Sequence, residues 1–299
     1  MKKLMFAAAV IAAGVAVADV TSANVVGYVT KGARDGFCYF TPTFRAVSGD
    51  QAKIDINDIQ MGADVTTGAA DLQFLNVNGG TEVDKEGELL AYVWVQNGDS
   101  KYKGDVDMTG KNGVWAVQVG SGFNTRYYDP DPSIGQPKLL DVGQGIQIAG
   151  SSDMKFQNAG QVGTESVEVL TRQARDGFTY FGNPFPVEMD INNIQMDENV
   201  TTGAADLQFL NVNGGTEVDN EGELLAYVWV QKGDSKYKGD VDMTGKNGVW
   251  AVQVGSGFNT RYYDPDPSVG QPNKLGAGQG IQIAGSSDMH FWAVCPIEL

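Results

Sequence analysis

The sequence predicts an all-β protein with two tandem antiparallel repeats, each a β-sandwich or small β-barrel, behind an N-terminal signal peptide. Three observations lead to this prediction: a long internal duplication, hydrophobic patterns with a period of two residues, and turns rich in glycine and asparagine. Glycine accounts for 39 of 299 residues. This share fits many tight turns rather than disorder, because hydrophobic residues make up 42% of the chain.

The duplication fixes the domain organisation. Residues 65 to 137 recur almost letter for letter at 200 to 272, with three differences: Lys85/Asn220, Asn97/Lys232 and Ile134/Val269. Repeat 1 carries about six extra residues near Val47 to Lys53, and this variation in length predicts a surface loop there. The alignment therefore divides the chain into a signal peptide (1–18), repeat 1 (19–163) and repeat 2 (164–299).

The first 18 residues have the pattern of a secretory signal peptide. Lys2 and Lys3 precede the apolar stretch Leu4 to Val17, and Ala16 to Ala18 forms an A-x-A cleavage site. The apolar stretch is shorter than the roughly 20 residues that cross a bilayer, and no later segment is apolar enough to do so. We therefore expect an exported protein, either secreted or located at the cell surface or in the periplasm, without a transmembrane segment.

The strands follow from alternating hydrophobic residues. Ile54 to Asn57 and Gly145 to Ile148 alternate as half-buried strands do. Leu89 to Gln96 is apolar on both faces and predicts a central strand that is covered on both sides, with Gly113 to Val119 as its neighbour. Trp94 and Trp115 on these two strands are expected in the core.

Asparagine–glycine pairs mark the turns between the strands. Asn78-Gly79 predicts a hairpin, because both residues tolerate the positive φ angles of a type I′ turn. Asn97 to Asp99 and Lys111 to Gly113 predict two further turns, and Ser48 to Ala52 is compatible with a short helical turn. About seven to nine strands per repeat are expected for a sandwich of this size.

The charge of the chain excludes two classes of partner. The sequence has 37 acidic and 21 basic residues, for a formal net charge of −16. Such a surface repels phosphate, so we expect no binding to nucleic acid or to anionic lipid. Divalent cations, basic surfaces and neutral sugars remain compatible with it.

Several short segments resemble a group of uncharacterised exported proteins from verrucomicrobial-type bacteria. They are Ser22 to Tyr28, Phe40 to Phe44, Asp58-Ile59, Leu72 to Leu75 and Tyr92 to Trp94, and together they extend over most of the mature chain. Repeat 2 departs from the pattern at Phe181 to Phe185. The resemblance implies a fold of tandem β-repeats and carries no activity.

An acidic loop in each repeat is a candidate calcium site. Asp105 and Asp107 lie in an Asp-x-Asp-x-Thr-Gly segment, which begins as a helix-flanked calcium loop does. The glutamate that should close such a loop is replaced by Ala116, so a site of different geometry and a solvated acidic hairpin both remain open. The copies of the two aspartates are Asp240 and Asp242. No other cofactor is predicted.

A second loop combines aromatic rings with carboxylates, as sites for sugar rings do. In repeat 1 its candidate ligand-binding residues are Tyr127, Tyr128, Asp129 and Asp131. In repeat 2 they are Tyr262, Tyr263, Asp264 and Asp266. The alternative interpretation is that the tyrosines pack as lids or form contacts between subunits.

Catalysis has little support in the sequence. His290 is the one histidine, and repeat 1 has Lys155 in its place. Gly120 to Gly122 lacks the complete Gly-x-Ser-x-Gly elbow, and no phosphate loop or zinc signature is present. We therefore predict that the protein is not an enzyme.

The two cysteines are candidates for a disulfide, because export makes this bond possible. Cys38 corresponds to Thr179 in repeat 2, and Cys295 corresponds to Gly160 in repeat 1. If the contact between the repeats recurred between molecules, Cys295 of one molecule would approach Cys38 of the next, and a head-to-tail polymer would form. An intramolecular bridge and two buried thiols are the alternatives.

The function that the sequence favours is that of a secreted, non-enzymatic structural or surface-assembly protein. The first alternative is a bivalent carbohydrate-binding module, with or without calcium. The second is a glycan-acting hydrolase, since carboxylates are abundant enough to form a catalytic pair.

Overall fold

A computed structural model describes residues 27–32, 38–43, 53–75, 89–141, 143–151, 154–160, 169–173, 179–210, 224–286 and 289–294. Five of the predictions lie outside these residues: the signal peptide, the Asn78-Gly79 hairpin, the turn at Ser48 to Ala52, the start of the extra loop and Cys295. The predicted joint between the repeats falls between the last strand of repeat 1 and the first strand of repeat 2.

Each repeat contains eleven strands among the described residues. In repeat 1 they are β1 Gly27–Gly32, β2 Cys38–Phe40, β3 Lys53–Asp55, β4 Ile59–Met61, β5 Asp71–Leu75, β6 Leu89–Gln96, β7 Gly113–Val119, β8 Arg126–Tyr128, β9 Leu139–Asp141, β10 Ile146–Ala149 and β11 Lys155–Gly160. In repeat 2 they are β12 Val169–Gln173, β13 Thr179–Gly182, β14 Met189–Asp190, β15 Ile194–Met196, β16 Asp206–Leu210, β17 Leu224–Gln231, β18 Gly248–Val254, β19 Arg261–Tyr263, β20 Lys274–Leu275, β21 Gly280–Ala284 and β22 His290–Val294. The fold is all-β, as predicted.

Each repeat has one large sheet and two small ones, all antiparallel. The six-stranded sheet has the order β2-β10-β5-β6-β7-β8, the three-stranded sheet has the order β1-β11-β4, and β3 pairs with β9. Repeat 2 has the same layout, with sheets β13-β21-β16-β17-β18-β19, β12-β22-β15 and β14-β20. The duplication in the sequence is therefore a duplication of structure.

The strands are more numerous than the predicted seven to nine, because several span only two or three residues. The segment Ile54 to Asn57 is one cause. Its alternation predicted one strand, but β3 ends at Asp55 and a 3-10 helix follows at Ile56–Asp58. The Asp55 carboxylate accepts a hydrogen bond from the Asn57 N–H (2.8 Å) and caps this helix.

The main core of each repeat lies between the three sheets. Trp94 and Trp115 are fully buried, as predicted, and their rings meet edge to face with centroids 5.2 Å apart. Phe40 of the large sheet meets Phe156 of the three-stranded sheet in the same way, at 5.0 Å. These contacts join the layers into one sandwich-like core.

A second, smaller core covers the opposite face of the large sheet. Val95, Val114 and Ala116 are completely buried there, beneath Tyr102 and Val106 of the loop that joins β6 to β7. This confirms that β6 is a central strand, but its second face is covered only in part, since Val95 is buried and Ala91 is exposed. The predicted turn at Asn97 to Asp99 is also present, with Gly98 at φ 89°. The predicted turn at Lys111 to Gly113 lies slightly earlier, because the Lys111 N–H bonds to the Met108 carbonyl (3.0 Å).

The two repeats meet through the edge strands β2 and β13. Phe40 bridges to Gln279 of repeat 2, and its counterpart Phe181 bridges to Gln144 of repeat 1. The contact is reciprocal, as a two-fold axis requires, so both repeats use the same surface. Head-to-tail association between molecules stays a prediction.

Candidate functional site

The acidic loop and the tyrosine loop, which the sequence treats as separate candidates, meet at one carboxylate. Asp129 accepts a hydrogen bond from the Tyr102 hydroxyl, and its second oxygen accepts the Asp105 N–H (2.8 Å). The Tyr102 hydroxyl in turn accepts the Val106 N–H (3.2 Å). Asp129 therefore holds the acidic loop against the large sheet, and its oxygens are engaged by the protein itself.

Repeat 2 builds the same junction from the equivalent residues. Asp264 accepts hydrogen bonds from the Tyr237 hydroxyl and from the N–H groups of Asp240 (2.6 Å) and Val241 (3.2 Å). Partial burial and the adjacent carboxylate raise the pKa of Tyr237, as they raise the pKa of Tyr102 in repeat 1. Both hydroxyls thus stay protonated and keep donating to the carboxylate.

Tyr127 and Tyr262, two of the residues predicted to bind sugar, are almost fully buried. Each ring is only 7% exposed, because it packs into the smaller core of its repeat. Their neighbours Tyr128 and Tyr263 point to the opposite side of the strand and are 42% and 43% exposed. Alternation along β8 and β19 therefore separates two tyrosines that are adjacent in the sequence.

Asp131 and Asp266 are exposed caps of short 3-10 helices, which span Pro132–Ile134 and Pro267–Val269. Asp131 accepts hydrogen bonds from the Ser133 N–H (2.9 Å) and hydroxyl (2.7 Å), and these bonds lower the pKa of its carboxyl group. Asp266 makes the same bonds to Ser268. The two aspartates thus have a local structural role.

The predicted metal ligands show the same kind of local bonding. Asp107 accepts a hydrogen bond from the Thr109 N–H (2.9 Å), and Asp242 accepts from both the Thr244 N–H (2.9 Å) and hydroxyl (2.7 Å). These bonds lower the pKa of both carboxyl groups. Within the described residues, no three acidic, histidine or cysteine side chains come together as a metal site.

The feature that sequence reasoning missed is an exposed hydrophobic surface on the hairpin formed by β7 and β8. We call residues 117–128, and their copy at 252–263, the outer hairpin. Phe123 at its tip is 98% exposed and Phe258 is fully exposed. Val119 and Val254 are each 52% exposed, and Tyr128 and Tyr263 lie further along the same hairpins.

The tip of the outer hairpin, which carries Phe123, has a defined backbone conformation. Gly120 and Gly122 adopt φ angles of 78° and 58°, which favour glycine, and a 3-10 helix spans Gly122–Asn124. The Arg126 guanidinium donates to the carbonyls of Phe123 (3.3 Å) and Thr125 (2.7 Å). A defined turn thus carries a phenylalanine ring that contributes nothing to either core. The signal in the sequence is an aromatic residue that directly follows Gly120-Ser121-Gly122 at the end of a strand.

The two other candidate groups lie apart from this surface. Cys38 is 1% exposed in β2. Cys295 lies outside the described residues, so a disulfide between the two cysteines stays a prediction. His290 is exposed at the start of β22, opposite Gln173.

Comparisons with known proteins do not assign the chain to a family. No protein family, no curated protein and no solved structure matches it. The described part of the chain also has no helix long and apolar enough to cross a bilayer.

Proposed function

We propose that the protein is an exported, non-enzymatic assembly protein whose two outer hairpins bind further copies of the chain. The observation that carries this proposal is the pair of almost fully exposed phenylalanines, one on each repeat. Exposed apolar groups clustered with aromatic residues mark interaction surfaces, whereas single exposed side chains are ordinary. A chain with two such surfaces on paired repeats would extend an assembly in two directions.

The size of the expected effect follows from the burial of the ring. Transferring a phenylalanine side chain from water into an interface stabilises the complex by about 1.5–3 kcal/mol. This corresponds to a factor of roughly 10 to 150 in the association constant. The net charge of −16 opposes assembly, so association should strengthen as salt screens the repulsion.

Sedimentation velocity of Phe123→Ser, of Phe258→Ser and of the double variant tests the proposal. We expect open-ended assemblies for the wild type, dimers at most for each single variant, and monomers for the double variant. Leu139→Ser is the control, since Leu139 is 48% exposed on β9, away from the outer hairpin. Wild-type protein that stays monomeric at high concentration and high salt would refute self-assembly.

The second candidate is bivalent carbohydrate binding, with or without calcium, and the exposed rings of Tyr128 and Tyr263 favour it. A glycan array probed with and without chelator tests this candidate. Glycan binding that is lost in Tyr128→Ala with Tyr263→Ala, but kept in the double phenylalanine variant, would support the carbohydrate-binding function over assembly.

A further inference from the structure

At the centre of the contact between the repeats, each repeat contributes the same two side chains, a glutamine and a tyrosine. The side-chain amide of Gln147 donates to the Tyr180 hydroxyl of repeat 2, and that of Gln282 donates to the Tyr39 hydroxyl of repeat 1. The two tyrosine rings lie against each other with centroids 5.3 Å apart. All four side chains are at least 92% buried, since the most exposed of them reaches 8%. Both repeats therefore bury the same polar pair at the axis.

The backbones of the two repeats approach closely around this centre. The Thr41 N–H donates to the Gly278 carbonyl (3.0 Å), and the Gly145 N–H donates to the Tyr180 carbonyl (3.2 Å). A β-carbon on Gly145 would lie 2.7 Å from the Phe181 nitrogen, and one on Gly280 would lie 2.7 Å from the Phe40 nitrogen. The edge strands thus pack so closely that a side chain at either glycine would not fit.

The reciprocity fails first where repeat 1 has Thr41 and repeat 2 has Gly182. A β-carbon at position 182 would lie 2.2 Å from the Thr41 Oγ1 across the contact. The φ angle of Gly182 is not in the positive region, but a β-carbon there would also lie 2.8 Å from the Gly280 Cα of its own repeat, so the strand would have to shift to accept a side chain. Thr41 is fully buried, and its hydroxyl forms no hydrogen bond to any described residue. Its side chain therefore fills space that Gly182 leaves empty.

The next residue adds a second difference. The Asn183 N–H bonds to the Gln279 carbonyl of its own repeat (3.0 Å), whereas Pro42, its counterpart, has no N–H to donate. This bond draws the edge of repeat 2 inward, and a β-carbon at position 182 would lie 2.5 Å from the same Gln279 carbonyl oxygen. Repeat 1 thus has a protruding edge and repeat 2 a recessed one.

We propose that this surface is a self-association site that accepts only the opposite repeat, so that a second copy of the chain binds by exchanging repeats. Two protruding edges would place threonine against threonine, and two recessed edges would leave a gap. Repeat 1 of one molecule therefore pairs with repeat 2 of the other, and the reverse pair closes the dimer. The proposal is independent of the outer hairpins.

The concentration of protein decides between the closed monomer and the exchanged dimer. Within one chain, each repeat is presented to the other at an effective concentration of the order of millimolar. In dilute protein, the two repeats of one chain therefore pair with each other. Exchange becomes competitive only when the concentration of chains approaches that value, as in a crowded extracellular layer.

The test exchanges the two edges by mutation of the full chain. The double-protruding chain carries Gly182→Thr, Asn183→Pro and Pro184→Thr. The double-recessed chain carries Thr41→Gly, Pro42→Asn and Thr43→Pro. The exchanged chain carries all six substitutions and is the matched control, because it keeps one edge of each kind. Tryptophan fluorescence of the buried cores checks that each chain is folded.

The double-protruding chain should lose the contact between its repeats and show a larger maximum dimension in small-angle scattering. The exchanged chain should recover the wild-type dimension. An equimolar mixture of the double-protruding and double-recessed chains should form a 1:1 heterodimer in light scattering coupled to gel filtration. A double-protruding chain as compact as the wild type, or a mixture that contains only monomers, would overturn the proposal.

A measurement that leaves the contact between the repeats unaltered applies even where an edge variant fails to fold. Two differently tagged chains that both carry Phe123→Ser and Phe258→Ser, so that the outer hairpins cannot assemble, are incubated together near millimolar concentration and then diluted; they should yield dimers that contain both tags. The same chains mixed only after dilution should yield none. Absence of dimers with both tags after incubation would overturn the exchange.

Discussion

Gly145→Ala and Gly280→Ala should each open the contact between the repeats without unfolding them. The added methyl group of Gly145→Ala would lie 2.7 Å from the Phe181 nitrogen and 2.8 Å from the Tyr180 carbonyl carbon. Backbone atoms of a strand cannot rotate away as the end of a side chain can, so the strands must separate. At Gly280 the corresponding atoms are the Phe40 nitrogen (2.7 Å) and the Tyr39 carbonyl carbon (2.8 Å).

The magnitude follows from overpacking. Inserting one methyl group into a close-packed contact costs about 1–3 kcal/mol. The population in which the repeats have separated should therefore rise by about 5- to 150-fold. The two substitutions should have equal effects, because they are equivalent positions of one reciprocal contact.

Native-state hydrogen exchange measures this opening directly. The Thr41 amide bonds across the contact to Gly278, so its protection should fall by the same factor in both variants. Gly113→Ala is the control, because its methyl group would lie 2.3 Å from the Val95 carbonyl inside repeat 1. It should lower the stability of repeat 1 and leave the core amides of repeat 2 protected. Unchanged Thr41 protection in both interface variants would refute the reasoning.

Three further predictions concern pH, the acidic junction and the core. Burial raises the pKa of Tyr39 to about 12 from an ordinary value of 10. The stability that its neutral form contributes should be complete below pH 10 and be lost as the pH rises through 12. Absorbance at 295 nm would follow the ionisation, small-angle scattering would follow the size of the protein, and Tyr39→Phe should weaken the transition. Asp129→Asn should lower the free energy of unfolding in a urea titration by about 1–3 kcal/mol, since it removes an acceptor from the junction. Asp131→Asn should have a much smaller effect in the same urea titration, because Asp131 is exposed and asparagine caps a helix as well as aspartate does. Trp115→Ala should cost about 3–5 kcal/mol in the same titration, because it leaves a cavity and removes the indole hydrogen bond to the Ile59 carbonyl (2.8 Å).

The candidate sites could be predicted from the sequence only in part. Residue types and spacing singled out the acidic loop, which joins β6 to β7, and the tyrosine loop, which includes β8. The structure brings the two loops together at Asp129. Their roles depend on which face of β8 each tyrosine occupies and on which groups bond to Asp129. Those contacts join residues more than twenty positions apart, so local pattern does not encode them.

By itself, the sequence determined the all-β class, the duplication, the central position of β6 and the core positions of Trp94 and Trp115. These properties follow from hydrophobic periodicity and turn residues, which act over a few neighbouring positions. Only the tertiary structure decided that the two repeats meet through their edge strands β2 and β13. It also decided that Thr41 lies opposite Gly182, because this pairing depends on which atoms of the two repeats meet across the contact between them.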